Sequence, residues 1–477
     1  MTAIAEAPRT RRPSRPVMIL AAAVVIALGS QIVAATIHHR PASQPAPAAA
    51  APARGDAAPA IIAPAPGGPV IAPADGPIGA SAGTVSRIDH SIAAWTANLA
   101  RNPKDFISAS SLGLLYEARG RLTGDIADYQ RAQQAVEQGL ATTPDDLGQQ
   151  AVRARLLQTL HDFPGALAAA RSILAKDSTV LQALATEGDA DLELGDVTGA
   201  TAAFDSLEAQ APGAAVTARL SRLAFIQGDT AGAVRLAQRA YDESQAAGSG
   251  GSTLGWYAYL AGTVTLTTGS PQQALTWFQR AVTAWPDGYL ALSGLARAQA
   301  ALGQTDAAIA SYQQAIAIAP QPDALTALGD LYAIRGDTKL ADQQYATVEA
   351  IAHLATLNEQ VYNRQLVLFS VNHDRDLAEA LVLANQELAV RKDVYGYDAD
   401  AWALLANGRA GDADAVMRQA LAFGTKDALL DYHAGVIAAA VGDAARARSL
   451  LDAALAIPGG LDPLSLGRAN AALAALP

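Results

Sequence analysis

The chain has 477 residues, a net charge of −11, 51% hydrophobic residues, only 5% aromatic residues and no cysteine. The lack of cysteine excludes disulfides, thiolate metal sites and cysteine nucleophiles, and the acidic balance argues against a nucleic-acid partner. Alanine supplies much of the hydrophobic content, which favours helices packed through small side chains over strands.

Residues 1–16 are basic and residues 17–37 are apolar. The apolar run, VMILAAAVVIALGSQIVAATI, carries no formal charge and is long enough to cross the ~30 Å hydrocarbon core of a bilayer as a helix. Four arginines precede it and only Arg40 closely follows it. The positive-inside rule then predicts a single-pass anchor in the cytoplasmic membrane, with the N-terminus in the cytoplasm and the remaining chain outside. A signal peptide cleaved near Ala35 is the alternative, and it predicts a secreted or periplasmic protein.

Residues 38–83 form a linker rich in proline and alanine. Ten prolines and sixteen alanines fall between residues 41 and 83, with only three charged residues. Such a composition cannot bury a core and predicts a disordered, partly polyproline spacer. At about 3.1 Å per residue its extended reach is on the order of 130 Å, enough to hold a folded body well clear of a membrane.

Residues 84–477 carry a repeat of paired helices. A leading helix is expected over residues 86–102, and ten alanines then recur at steps of 33 to 41 residues. These alanines are Ala132, Ala166, Ala200, Ala233, Ala274, Ala308, Ala341, Ala378, Ala413 and Ala447. A period near 34 residues is typical of helix-turn-helix repeats.

Other positions keep a fixed distance from these alanines. Glycine stands five residues before seven of them, usually followed by Asp or Ser, which predicts a left-handed corner and then a helix cap. An apolar residue stands four residues after each alanine, one helical turn on, and predicts a buried stripe. A small residue recurs twelve positions before, where the paired helices must approach closely. Proline recurs twelve positions after and ends the second helix.

On these positions the chain resembles the tetratricopeptide repeat (TPR) superfamily over about residues 100 to 460. The most similar units are residues 325–345, LTALGDLYAIRGDTKLADQQY, and residues 290–320. Residues 398–443 further resemble bacterial TPR proteins. The resemblance implies an all-α fold, a right-handed superhelical solenoid of about ten helix-turn-helix units. It also implies that the first helix of each unit lines a concave groove that holds peptides or partner helices.

Two segments interrupt or end the pattern. The step from Ala233 to Ala274 is seven residues longer than a 34-residue period, and residues 246–252, AAGSGGS, predict a flexible loop there. That loop is either a hinge or a neutral insertion, which costs little in closure entropy. Residues 462–476 predict a terminal helix that covers the last unit, as an open-ended stack requires.

No catalytic or metal-binding constellation is found. No histidine pair has ligand spacing, and neither HExxH nor a phosphate-binding loop is present. His161 and His373 occupy the corner position of glycine, and histidine tolerates positive φ. His433 lies inside the first helix of the tenth unit and is expected to pack against a neighbouring helix. No cofactor, no metal and no enzymatic activity are expected.

The repeat phase selects residues expected to face the groove. Eleven positions before the repeated alanines stand charges of alternating sign, and two aromatic residues lie one turn apart in the fifth unit. These candidates are Arg155, Asp189, Arg222, Arg297, Asp330, Trp256 and Tyr259. The charges either bind a ligand or pair with one another, and the aromatics either bind or pack under the neighbouring loop. The Lys and Asn pattern with which the family binds carboxylates is absent, so recognition of an acidic C-terminal tail is not expected.

These features predict a non-enzymatic scaffold for protein–protein interactions, tethered to the cytoplasmic membrane with its repeats outside the cytoplasm. Its partner is expected to be another protein or peptide of the membrane or cell envelope. A receptor for a small ligand, glycan or peptide, or an enzyme that uses the concave surface near His433, is the alternative. A spacer without a specific groove is a third hypothesis.

Overall fold

The computed structural model describes residues 82–357 and 364–477, and every regular element in those ranges is an α-helix. None of these helices is both long and apolar enough to span a membrane. The predicted basic arm (1–16), the membrane segment (17–37) and nearly all of the linker (38–83) lie outside the described residues.

The described ranges hold a leading helix, ten helix pairs and a terminal helix. The leading helix is α1 (Ala82–Arg101) and the terminal helix is α22 (Pro463–Ala474). The first helices of the ten pairs are α2 (Phe106–Thr123), α4 (Leu147–Thr159), α6 (Leu181–Glu193), α8 (Ala214–Ile226), α10 (Gly251–Thr267), α12 (Tyr289–Ala301), α14 (Pro322–Arg335), α16 (Arg364–Asn372), α18 (Val394–Ala406) and α20 (Ala428–Ala440). The second helices are α3 (Ile126–Leu140), α5 (Phe163–Leu174), α7 (Val197–Gln210), α9 (Thr230–Ala246), α11 (Pro271–Ala284), α13 (Thr305–Ile318), α15 (Thr338–Leu357), α17 (Leu377–Val390), α19 (Ala410–Leu421) and α21 (Ala444–Leu455). Each pair is called a unit, numbered 1 to 10. The turn inside a unit is its corner, and the connection to the next unit is its end loop.

The corners form where glycine and aspartate predict them. All seven predicted corner glycines have a left-handed backbone, with φ from 72° at Gly303 to 93° at Gly269. The side chains of Asp196, Asp229 and Asp443 then accept hydrogen bonds from backbone N–H groups in the first turn of the following helix. Each such corner ends one helix and caps the next within two residues.

Nine of the ten repeated alanines are buried, and unit 8 holds the exception. The predicted Ala378 is exposed, and Val382, one turn later, is 54% exposed. The buried pair in α17 is instead Ala380 and Ala384. The prediction was wrong by two residues because α17 begins after Asp376, which stands four residues before Ala380. In units 3, 4 and 10 the capping aspartate likewise stands four residues before the buried alanine.

The two histidines predicted at corners have different outcomes. His161 has a φ of 64° and takes the corner conformation of unit 2, as predicted. In unit 8 the left-handed residues are Asp374 and Asp376, with φ of 53° and 43°, and His373 is not among them. The corner prediction for His373 was therefore wrong.

The small residues of the first helices make room for large side chains of the second helices. A Cβ on Gly262 would lie 2.8 Å from the ring of Phe278, and a Cβ on Gly329 would lie 2.5 Å from the ring of Tyr345. Phe278 is fully buried. The position twelve before the repeated alanine and the position four after it therefore pack against each other and set the distance between the paired helices.

The extra residues between units 4 and 5 lengthen helices more than they lengthen a loop. Helices α9 and α10 have 17 residues each, against 13 in α8 and 14 in α11. The connection between them covers only residues 247–250. The predicted flexible loop over residues 246–252 was therefore too long, because its ends belong to helices.

The first helices lie on the inside of the curved stack. In the described ranges the first helices of successive units contact one another more closely than the second helices do. A stack of paired helices bends toward the side where its elements approach most closely. The surface formed by the first helices is called the inner surface.

The stack packs against itself at an offset of five units. The corner of unit 3 meets the end loop of unit 8, where a Cβ on Gly195 would lie 2.5 Å from the carbonyl oxygen of Lys392. The corner of unit 4 meets the end loop of unit 9, where the Thr425 hydroxyl donates to the carbonyl oxygen of Ile226 at 2.6 Å. Both contacts join residues nearly 200 positions apart in the chain.

Two further contacts follow the same offset. The corner of unit 5 meets the end loop of unit 10, where a Cβ on Gly269 would lie 3.1 Å from Pro458. The corner of unit 1 meets the end loop of unit 6, where a Cβ on Gly124 would lie 3.0 Å from the Gln321 side chain. This line of corner-to-loop contacts is called the seam, and it sets a superhelical turn of about five units.

An apolar core crosses the seam. Leu192, Phe204 and Ile226 of units 3 and 4 belong to one buried cluster with Val394 and Leu404 of unit 9. Burial of apolar area is the main favourable term in such contacts, at roughly 25 cal/mol per Å². The two turns are therefore held by core packing as well as by backbone contacts.

Candidate functional site

On the inner surface of units 1 to 4, the predicted charges bind residues of neighbouring units. Arg155 is buried, and its guanidinium pairs with the buried carboxylate of Glu117 in unit 1. Asp189 is buried and accepts from Nε of Arg219 in unit 4 at 2.9 and 3.0 Å. Both predicted site residues thus join successive first helices.

Arg222 belongs to a network of ion pairs among three residues that reaches across the seam. Its Nη2 lies 2.6 Å from Oε1 of Glu193, and Nε of Arg391 lies 2.7 Å from Oε2 of the same carboxylate. Burial alone would raise the pKa of the Glu193 carboxyl, but the two guanidiniums outweigh burial and hold that pKa well below its usual range. Arg391 also lies over the ring of Phe163, 4.8 Å from its centroid.

The inner surface of units 5 and 6 is aromatic. Trp256 and Tyr259 on α10 are half-buried, with ring centroids 5.5 Å apart. Tyr259 also packs on Phe278 of the same unit, at 6.0 Å between centroids. Tyr289, at the start of α12, is half-buried too, and burial raises its pKa to about 12. Three rings are therefore packed on one side and open to solvent on another.

Arg297 stands beside these rings and is exposed. Burial raises the pKa of Tyr259, and the positive charge of Arg297 partly opposes that rise, so the two side chains lie close together. Asp323 on α14 acts on Tyr259 in the opposite sense to Arg297. Among the described residues no carboxylate forms an ion pair with Arg297, whereas Arg222 at the same repeat position is paired.

Asp330, the last of the predicted charges, links units 7 and 8. Its Oδ1 accepts a hydrogen bond from the Tyr345 hydroxyl at 2.7 Å and lies 2.8 Å from Nε2 of His373. The ring of His373 packs on that of Tyr345, with centroids 4.6 Å apart. Asp330 is therefore held in a structural contact between two units.

His433 packs against a neighbouring helix, as predicted. Its ring is fully buried, with Nδ1 2.9 Å from Oδ1 of Asp398 on α18. It stacks on Trp402, with centroids 4.1 Å apart and an interplanar angle of 15°. Solvent does not reach this ring. In the described ranges no three His, Asp or Glu side chains are placed to hold a metal ion.

The structure also shows residues that the sequence reasoning missed. Glu117, Glu193 and Arg219 neutralise the predicted charges, but they stand at other repeat positions. These pairs could have been predicted by searching the first helices for an acidic and a basic residue about one repeat apart. No such signal exists for Arg391, because its contact with Glu193 depends on the five-unit offset. Tyr289 was missed because it begins its helix.

The chain belongs to the tetratricopeptide repeat superfamily. The model of the family described as "Tetratricopeptide repeat" matches residues 79–139, 185–248, 259–322 and 294–352, and the ten helix pairs of the fold agree with it. Repeats of this family generally mediate protein–protein interactions through extended concave surfaces.

Two solved structures are similar to parts of the chain. A tetratricopeptide repeat protein from Parabacteroides merdae is 18% identical, with 54% of this chain and 97% of that chain covered and a TM-score of 0.31. A chain of the APC/C hetero-tetramer Cut9-Hcn1 is 14% identical, with 81% and 94% covered and a TM-score of 0.34. No curated protein sequence matches the chain.

Proposed function

We propose that the chain is a non-enzymatic scaffold that binds another protein on the inner surface of units 5 and 6. One observation carries this proposal. Arg222 and Arg297 hold the same repeat position, yet Arg222 is bound by Glu193, while Arg297 has no ion pair among the described residues. Arg297 also stands beside half-buried aromatic rings, and arginine and aromatic side chains dominate the affinity of protein interfaces.

The chemistry of this surface defines the occupant. An open aromatic surface favours an apolar or aromatic side chain, and a guanidinium that has no ion pair among the described residues favours a carboxylate. Because the inner surface is formed by parallel first helices, a peptide segment or a single helix fits along it. The proposed occupant is therefore a segment that presents an apolar side chain to Trp256 and Tyr289 and an acidic side chain to Arg297.

The proposed location is the outer side of the cytoplasmic membrane. The support is the charge asymmetry around residues 17–37 and the length of the linker over residues 38–83. A tether raises the effective concentration of the inner surface near a membrane or envelope partner without any new contact. The partner is accordingly proposed to be a protein of that membrane or envelope.

Capture of the partner tests the binding surface. The full chain is cross-linked in intact cells, purified with detergent and analysed by mass spectrometry. A Trp256→Ala/Arg297→Ala variant is expected to lose at least 10-fold of the captured partner. The control is Arg235→Ala, which removes an exposed arginine from the second helix α9. Equal capture by the double variant and the wild type would refute the assignment of this surface.

Membrane extraction and N-terminal sequencing test the location. The proposal predicts that the full chain resists extraction by alkaline carbonate, retains residues 1–37 and exposes its repeats to protease added to spheroplasts, from which the outer envelope layers have been removed. A mature chain that begins near residue 36 would replace the anchor with a cleaved signal. Protection of the repeats in intact spheroplasts would contradict the topology.

A further inference from the structure

Within the described residues, the seam covers four of the ten corners. In a stack of paired helices all corners lie along one edge and all end loops along the other. The seam joins corners of units 1, 3, 4 and 5 to end loops of units 6, 8, 9 and 10. The corner of unit 8 is contacted by the terminal helix, where Nη2 of Arg468 donates to the carbonyl oxygen of Asn372 at 2.8 Å. Beside the corner of unit 6, a Cβ on Gly459 of the unit 10 end loop would lie 3.1 Å from the Cβ of Ala301. The corner glycines of units 6, 7, 9 and 10 have no cover within the described residues, since an added Cβ would meet no atom within 4 Å. These are Gly303, Gly336, Gly408 and Gly442.

The uncovered edge exposes an isoleucine at a repeat position that the seam buries elsewhere. Ile226 and Ile334 both stand seven residues before a repeated alanine. Ile226, under the end loop of unit 9, is 4% exposed, whereas Ile334 at the corner of unit 7 is 51% exposed. Val441, at the corner of unit 10, is 40% exposed. Ile334 is thus a side chain of the kind that the seam covers in unit 4, and Val441 is a second exposed apolar side chain on the same edge.

The same chain carries the complementary edge. The end loops of units 1 to 5 face away from the seam, because the seam uses only end loops from unit 6 onward. These loops are residues 141–146, 175–180, 211–213, 247–250 and 285–288. A Cβ on Gly213 or Gly248 would meet no atom of the described residues within 4 Å. Counting only residues 82–357 and 364–477, both halves of a seam are therefore open on one molecule, at opposite ends of the stack.

We infer that the corner edge of units 6 to 10 binds the end-loop edge of units 1 to 5 of a second copy of this chain. The contact continues the intramolecular seam, with apolar corners covered by end loops. It joins two different surfaces of the molecule, so it is head-to-tail and does not close into a symmetric dimer. It uses the edges of the stack and leaves the inner surface free, so it stands independently of the proposed function.

Disulfide cross-linking tests the geometry, because the chain has no native cysteine. Thr338→Cys marks the corner of unit 7, and Thr142→Cys and Ser178→Cys mark end loops of units 1 and 2; all three positions are exposed. Each variant of the full chain is purified with detergent, and the corner and loop variants carry different tags. Each variant is oxidised alone, and the corner variant is also oxidised after mixing with either loop variant. The expected product is a covalent heterodimer in at least one mixture, at five times the yield of either variant alone.

A surface variant and a control complete the test. Ile334→Glu changes an exposed side chain, so helicity should be unchanged while association weakens at least 10-fold in sedimentation experiments. Leu114→Glu, at a residue 41% exposed on α2 of unit 1, is expected to leave association unchanged. A wild-type chain that sediments as a monomer at all concentrations, or mixtures that cross-link no more than single variants, would overturn the inference.

Discussion

Two regions of the inner surface use the same repeat positions for different purposes. In units 3 and 4, Arg222 is bound by Glu193, which lies seven residues before the repeated alanine of unit 3. The corresponding residue of unit 5 is Thr267, whose hydroxyl donates to its own helix, at the carbonyl of Thr263. Arg297 therefore finds no carboxylate there. A repeat position fixes where a side chain points, but the preceding unit decides whether its charge is already neutralised.

The largest effect is expected from Arg219→Ala, which removes the guanidinium bound to buried Asp189. Breaking a buried ion pair by removing one partner leaves an uncompensated charge and costs about 3–5 kcal/mol of unfolding free energy. The midpoint of denaturant unfolding should fall accordingly. A decrease below 1 kcal/mol would mean that units 3 and 4 do not depend on this pair.

A smaller effect separates the two arginines at the shared position. Arg222→Ala is expected to cost about 1–2 kcal/mol, since Glu193 keeps Arg391 and Arg222 is partly exposed. Arg297→Ala is expected to change stability by about 0.5 kcal/mol or less, as for an ordinary surface residue. Thermal unfolding of both variants measures the difference. An equal loss of stability in Arg222→Ala and Arg297→Ala would contradict the distinction between the two regions.

The stability that Glu193 contributes to units 3 and 4 should also depend on pH. The Glu193 carboxyl has a folded-state pKa below its unfolded value, so its stabilisation is complete above about pH 4.3 and is lost as pH falls through the folded value. The Tm difference between the wild type and Glu193→Gln should therefore shrink from pH 7 to pH 3. Calorimetry at both pH values measures it. A constant difference would show that the charge of Glu193 contributes nothing.

The smallest change in stability is expected from Thr267→Glu, which copies the unit 3 arrangement into unit 5. A new, partly exposed ion pair with Arg297 is worth about 0–1 kcal/mol. Its consequence for binding is larger, because the guanidinium is then no longer available to a partner. Capture should fall to the level of Arg297→Ala. Unchanged capture with Thr267→Glu would show that the partner does not use this charge.

The sequence predicted most of the local structure, and its failures have physical causes. The repeated alanines, the corner glycines and the apolar residues one turn on predicted ten units, because each reports a contact inside one unit. Unit 8 was misplaced because its corner uses Asp374 and Asp376 in place of glycine. The contact of Arg391 with Glu193 was not predictable, because the turn of five units results from small rotations accumulated over many interfaces.

Photo-crosslinking at one repeat position tests the division of the inner surface most directly. Trp256 of unit 5 and Gln182 of unit 3 both stand eighteen residues before a repeated alanine, and the Gln182 side chain lies 3.2 Å from Nε of Arg155. Benzoylphenylalanine is introduced at either position of the full chain, and adducts are identified by mass spectrometry after irradiation of intact cells. The account predicts a partner adduct at position 256 and none at position 182. Adducts of equal strength at both positions, or none at 256, would contradict it.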